Sequence, residues 1–205
     1  MLFGSTMKTT VRLLTVAALL LGLARVSSAN AIVNGSFEIL PAPLPASHWN
    51  LFETIPGWTS PVNFIEIGWG SVYGVTGYDG QNVLELDATG NAIVSQIVAV
   101  PAETYLLSFL YADRANVATS SATFEVYWNS VLVASLAPTL TTMTLFQTNV
   151  VGDLDGLNDL EFRGTGSSDG YGAIIDNVRL PDGGLTSALL GLSIVGLGVV
   201  RRFVG

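Results

Sequence analysis

The chain has 205 residues, a net charge of −8 and no cysteine, which excludes disulfides, thiolate metal sites and thiol catalysis. Between residues 32 and 180 the only Lys or Arg residues are Arg114, Arg163 and Arg179, against fifteen of the sixteen Asp and Glu, a net charge of −12. Such a surface repels nucleic acid and anionic lipid, whose binding depends on cations that neutralise phosphate; divalent cations and neutral polymers are its natural partners.

At the N-terminus, Lys8 and Arg12 precede an apolar run over 13–23, and Ala29-Asn30-Ala31 follows. Basic residues, a short apolar stretch and small residues at the two positions a signal peptidase reads predict a secretory signal peptide over 1–31. The first choice of cut is after Ala31 and the second after Ala29. About eleven apolar residues are too few for a bilayer that takes roughly twenty.

From 32 to 180 no helical stripe is sustained. Short runs of β-branched, aromatic and aliphatic residues alternate with Gly, Pro, Asn and Asp, the pattern of a sandwich. The best strands are 82–87, 92–100, 104–112, 122–129, 145–150, 159–164 and 173–180; weaker ones are 32–38, 63–68 and 131–136. Phe124, Val126 and Trp128 share one face with Glu125 and Tyr127 on the other, and Leu160 and Phe162 alternate with Glu161 and Arg163, as half-buried strands require. The expected fold is all-β, a two-sheet jelly-roll sandwich of one domain. Pro41, Pro43, Pro45 and Pro56 predict an irregular loop over 39–56, carrying Trp49 and the lone His48.

Asp176 shares strand parity with Ile174, Val178 and Leu180. If that face is the core, a carboxylate is buried among aliphatics and needs compensation. Calcium is one answer, with Glu38 as the second carboxylate; backbone N–H donors, or Arg114, Arg163 or Arg179, are the other. Trp49, Trp69, Tyr73 and Tyr78 lie in loop-rich sequence where they could stack on sugar rings, whereas Trp58 and Trp128 read as core. Glu66, Glu85 and Asp87 could in principle form the carboxylate pair of a glycosidase. Two acids on one solvated strand face serve solubility more often, and the domain reads as non-catalytic.

The chain closes with Pro181-Asp182-Gly183-Gly184, an apolar run over 185–200, and Arg201-Arg202. A turn-forming motif, a barely membrane-length helix and a basic stop describe a sorting tail whose arginines stay in the cytoplasm while the domain faces outward.

Asn34-Gly35-Ser36-Phe37-Glu38, Pro56-Gly57-Trp58, Ile65-Glu66-Ile67, Asp79-Gly80, Leu84-Glu85-Leu86-Asp87, Ser95-Gln96, Tyr105-Leu106-Leu107-Ser108-Phe109 and Ile175-Asp176-Asn177-Val178 occur in that order. Together they resemble the galactose-binding-like jelly roll of exported bacterial proteins that carry PEP-CTERM sorting tails, and the tail resembles that group with Pro-Asp-Gly-Gly standing for Pro-Glu-Pro. The resemblance implies delivery across the inner membrane, a membrane-anchored stage, and processing at 181–184 by an exosortase-like protease. It implies residence at the cell surface or in a polysaccharide matrix, and a structural calcium ion on Glu38 and Asp176. Where that group often has Trp-Asn-Gly, this chain has Trp128-Asn129-Ser130, which predicts a slightly strained hairpin.

Overall fold

The computed structural model describes residues 30–181. Ala29, Asp182, Gly183, Gly184, Arg201 and Arg202 lie outside the described residues, as do the expected leader and tail helix. Within the described residues the strands are β1 (Trp49–Phe52), β2 (Thr54–Ile55), β3 (Trp58–Val62), β4 (Ile65–Trp69), β5 (Asn82–Glu85), β6 (Ile93–Ala99), β7 (Thr104–Ala112), β8 (Phe124–Trp128), β9 (Val131–Leu136), β10 (Thr144–Val151), β11 (Leu157–Gly164) and β12 (Ile174–Arg179). The only helical piece among them is a single 3-10 turn, Thr119–Ser121.

These strands form two antiparallel six-stranded sheets. The first has the order β1-β4-β5-β12-β7-β10 and the second β2-β3-β6-β11-β8-β9. From β5 onward the chain alternates between sheets, with the β8–β9 hairpin as the one local exception, so neighbours within a sheet are mostly distant in sequence. Their facing sides enclose the core, in which the Phe109 ring meets Phe162 edge-on at 5.1 Å and stacks with Phe146 at 4.9 Å. Trp58 and Trp128 are buried as expected, and each indole N–H finds a carbonyl, Asn34 O at 3.1 Å and Val151 O at 2.7 Å. Fully burying each large side chain of this kind contributes about 1.5–3 kcal/mol.

The alternation read in β8 and β11 holds. Phe124, Val126, Trp128, Leu160 and Phe162 point inward. On the outer face Arg163 pairs with Glu161 and lies 3.9 Å from the centre of the Tyr127 ring.

Two expectations fail. Residues 32–38 are turns rather than a strand, because Asn34 and Phe37 adopt left-handed backbone (φ 52° and 57°). The Asn34 side chain bonds Ile39 N, Ile39 O and Pro56 O at 3.0–3.1 Å, and the buried Phe37 ring packs on Trp58 at 5.4 Å. The expected loop over 39–56 in turn contains β1 and β2. Its prolines stop at Pro45 and resume at Pro56, leaving Trp49 to Ile55 free to donate into a sheet. At Gly57 (φ 86°) a Cβ would press on Val33, so the turn from β2 into β3 depends on glycine.

The first sheet is covered on its outer side over β4, β5 and β12, while the outer faces of β7 and β10 stay exposed at Leu106, Leu145 and Val151. Residues 70–81 fold back over its outer face and build a second small cluster of Tyr73, Val75, Val83, Ala112 and Ile174. The strand parity expected for Asp176 breaks here. A register shift separates Asp176 from Arg179, with Asn177 in left-handed backbone (φ 51°). Ile174 therefore packs in the outer cluster, while Val178 and Leu180 pack in the main core.

Asn129 and Ser130 turn the β8–β9 hairpin with φ 51° and 63°. A left-handed serine costs about 1–2 kcal/mol, part of which glycine returns as lost chain entropy. Ser130→Gly should raise the thermal midpoint by about 2–4 °C; a midpoint equal to or below wild type in calorimetry would show that the turn carries no strain.

Candidate functional site

Trp49 follows His48, which is itself in left-handed backbone (φ 61°), and pairs across β1–β4 with Gly68. Gly68 and Gly70 leave the room that bulky side chains fill: Trp49 and Tyr73 close over the first, Tyr78 over the second. Trp69, one residue out of step, stacks instead on His48 with ring centres 3.7 Å apart and planes 10° from parallel. Its N–H is tied to His48 O at 2.9 Å.

The four aromatics read as ligand-binding thus differ in exposure. Trp49 is open, 40 % exposed; Trp69 and Tyr78 are half-buried. Tyr73 is a correction, since it is only 2 % exposed and offers no face to a ligand. Burial of the first sheet's outer side needs a large anchor, and Tyr73 supplies it while its hydroxyl donates to Glu66 at 3.0 Å.

The two carboxylates read as cation ligands are also placed. Glu38 sits after the left-handed Phe37, in a turn and solvent-exposed, and its Oε1 accepts the N–H groups of Gln81 (2.6 Å) and Asn82 (2.8 Å). Gly80 permits that approach, because a Cβ there would overlap the Glu38 carboxylate. Asp176 is fully buried and accepts Asp79 N and Asn177 N, both at 2.6 Å.

Among the described residues no arginine pairs with Asp176. Arg179 lies 3.6 Å from Asp79 instead, and bonds Asn177 at 2.6 Å. Burial pushes the Asp176 carboxyl up to about 7, with the charges of Asp79 and Glu38 adding to the rise and the two N–H bonds opposing it. Asp79 and Glu38 are therefore like-charged neighbours of Asp176. Among the described residues no three acidic or imidazole side chains form a ready-made metal cage, so a bound cation would take its remaining oxygens from backbone carbonyls and water.

Glu66, Glu85 and Asp87 are the second correction. The solvated strand face expected for Glu85 and Asp87 is absent: Glu66, Glu85 and Asp87 are 5 %, 0 % and 0 % exposed, because residues 70–81 and the loop before β12 cover them. Glu66 and Glu85 stand directly opposite across β4–β5. Arg114 lies 3.4 Å from Glu85 and is held between the rings of Tyr73 and Tyr171, 4.8 and 4.7 Å from their centres. Glu85 further accepts Gly172 N and Asp87 N, and one oxygen of Asp87 accepts the N–H groups of Asp169, Gly170 and Tyr171. The aromatic clamp on Arg114 was not read from sequence; Tyr171 is far from it in the chain and carries no local signal.

No family model matches the chain. Among curated proteins it is 34 % identical over 157 residues to a multifunctional-autoprocessing repeats-in-toxin protein of Vibrio cholerae serotype O1, and 33 % identical over 153 residues to the protein of that name from Vibrio vulnificus. These matches cover 75 % and 73 % of this chain but 3 % of each toxin. Solved structures similar to the chain include TmCBM61 in complex with beta-1,4-galactotriose (15 % identity, 75 % of this chain and 98 % of that one, TM-score 0.49). Another is CBM35 from Paenibacillus barcinonensis (20 % identity, 64 % and 96 %, TM-score 0.41). Likeness at this level says nothing about ligand.

The buried acids have a measurable consequence. Burial, with the Glu66 charge adding, pushes Glu85 up to about 7 from an ordinary 4.5, against the opposing pull of Gly172 N, Asp87 N and Arg114. A carboxyl that keeps its proton to higher pH when folded stabilises fully below its unfolded pKa and loses that contribution as pH rises through the folded one. In chelator, urea denaturation should show stability falling between pH 5 and pH 8, and Glu85→Gln should shrink the fall. An undiminished fall in the variant would remove Glu85 as a titrating group.

Proposed function

We propose that the chain is an exported, non-catalytic sandwich protein of the cell surface or extracellular matrix that binds carbohydrate through Trp49, with Trp69 and Tyr78 shaping the surface around it. The observation that carries this reading is the open indole of Trp49 on a glycine-floored strand pair. A flat apolar face held by rigid backbone stacks on a sugar ring at small entropic cost. The surrounding negative charge favours a neutral polymer over an anionic one. A binding role rather than hydrolysis is supported by Glu66, Glu85 and Asp87, whose burial and internal bonding put them out of a glycan's reach.

Export is supported by the leader-like and tail-like ends, with signal peptidase and an exosortase-like protease as processing partners and the membrane as a transient anchor. The calcium reading places the ion at Glu38 and Asp176. The donors are hard oxygens, and a buried carboxylate with like charges beside it is the electrostatic conflict a divalent cation relieves. Glu38 and Asp176 would hold the ion, with backbone carbonyls and water completing its shell, and so tie residue 38 to β12.

Purified protein should be retained on at least one neutral insoluble polysaccharide, with Trp49→Ala weakening binding about tenfold at an unchanged thermal midpoint. Retention on none, or equal retention of the variant, would leave a structural surface protein. Calcium should raise the midpoint at pH 7.5 and raise it less at pH 5, where Asp176 holds a proton, since a ligand must shed its proton to bind. Asp176→Asn should abolish the rise; identical wild-type melts in calcium and in chelator would retire the ion.

A further inference from the structure

The two ends of the described domain are latched. Asn30 and Pro181 form an antiparallel bridge, and Ala31 N donates to Leu180 O at 3.0 Å. The Asn30 side chain closes the latch: its Oδ1 accepts Leu180 N at 2.8 Å and Ile32 N at 3.2 Å, and its Nδ2 donates to Val178 O at 3.3 Å. Val178 and Leu180 are fully buried and Ile32 belongs to the core, so these bonds serve backbone groups at the floor of the sandwich. Asn30 itself is exposed.

The residue preferences of a signal peptidase do not choose between the two candidate cuts. A cut after Ala29 places Ser27 and Ala29 at the recognised positions, and a cut after Ala31 places Ala29 and Ala31 there; all are small. The fold distinguishes the two products. A product beginning at Ile32 lacks Asn30 and Ala31, so Leu180 N–H, Leu180 C=O and Val178 C=O lose the partners named above, a loss that buried backbone tolerates poorly. A product beginning at Asn30 keeps every one of those bonds.

We infer that the leader is removed by hydrolysis of the Ala29–Asn30 bond, water adding its hydroxyl to the Ala29 carbonyl and leaving a free α-amino group on Asn30, and that Asn30 is retained because it latches the first residue of the mature chain to the end of β12. This rests on the export reading above. The full chain is expressed in a bacterial host with a signal peptidase, and the exported protein is subjected to intact-mass measurement and N-terminal sequencing. The expected N-terminus is Asn30. An exported protein beginning at Ile32 overturns this inference alone, whereas a chain that keeps its leader in the cytoplasm overturns the export reading and this inference with it. Asn30→Ala should still be cut at the same bond, but its thermal midpoint should fall by about 5 °C; an unchanged midpoint would show that the latch does not stabilise the mature chain and would overturn the inference.

Discussion

The structure depends on one constraint: the part of the first sheet formed by β4, β5 and β12 is buried on both faces although its outer side carries Glu66, Glu85, Asp87 and Asp176. Burying four carboxylates is costly unless each is bonded or neutralised. Residues 70–81, which provide the cover, also provide much of the compensation, through the Tyr73 hydroxyl on Glu66 and Asp79 N on Asp176. The loop before β12 does the rest, with three N–H groups on Asp87 and one on Glu85. The acids thus bind the loops to the sheet as much as the small apolar cluster does.

One oxygen of Asp87 has no partner, and two of the other acids meet like charge. Glu85 faces Glu66 with Arg114 3.4 Å away, and Asp176 faces Asp79 and Glu38 with no arginine in contact among the described residues. At the first, the rings of Tyr73 and Tyr171 hold Arg114 in position, a closed arrangement suited to structure. At the second, Glu38 is exposed and follows a left-handed Phe37, and Asp176 precedes a left-handed Asn177. Backbone held in such conformations costs about 1–3 kcal/mol and persists where surrounding contacts require it. That corner is the open, strained and under-neutralised one of the two.

Legibility followed the range of the interaction. Alternation within β8 and β11 was readable because period-two patterning depends on adjacent residues alone, and the strain at Ser130 because two-residue hairpins demand positive φ. The extended run of Trp49 to Ile55 was hidden by prolines on either side of it. Tyr73 was misplaced because nothing in Val72-Tyr73-Gly74 signals that the loop returns to cover a sheet. Glu85 and Asp87 were assigned to solvent for the same reason: alternation identifies their face correctly, but not what lies on it.

Composition and local pattern alone determined an acidic, cysteine-free, all-β domain with apolar segments at both ends, because charge, thiol content and strand periodicity are properties of neighbours in sequence. Only the tertiary structure decided which acids are buried, which aromatics remain open and how Asn30 meets Leu180. Each of those outcomes is a contact between residues far apart in the chain, and no local rule encodes the surface a segment will be folded against.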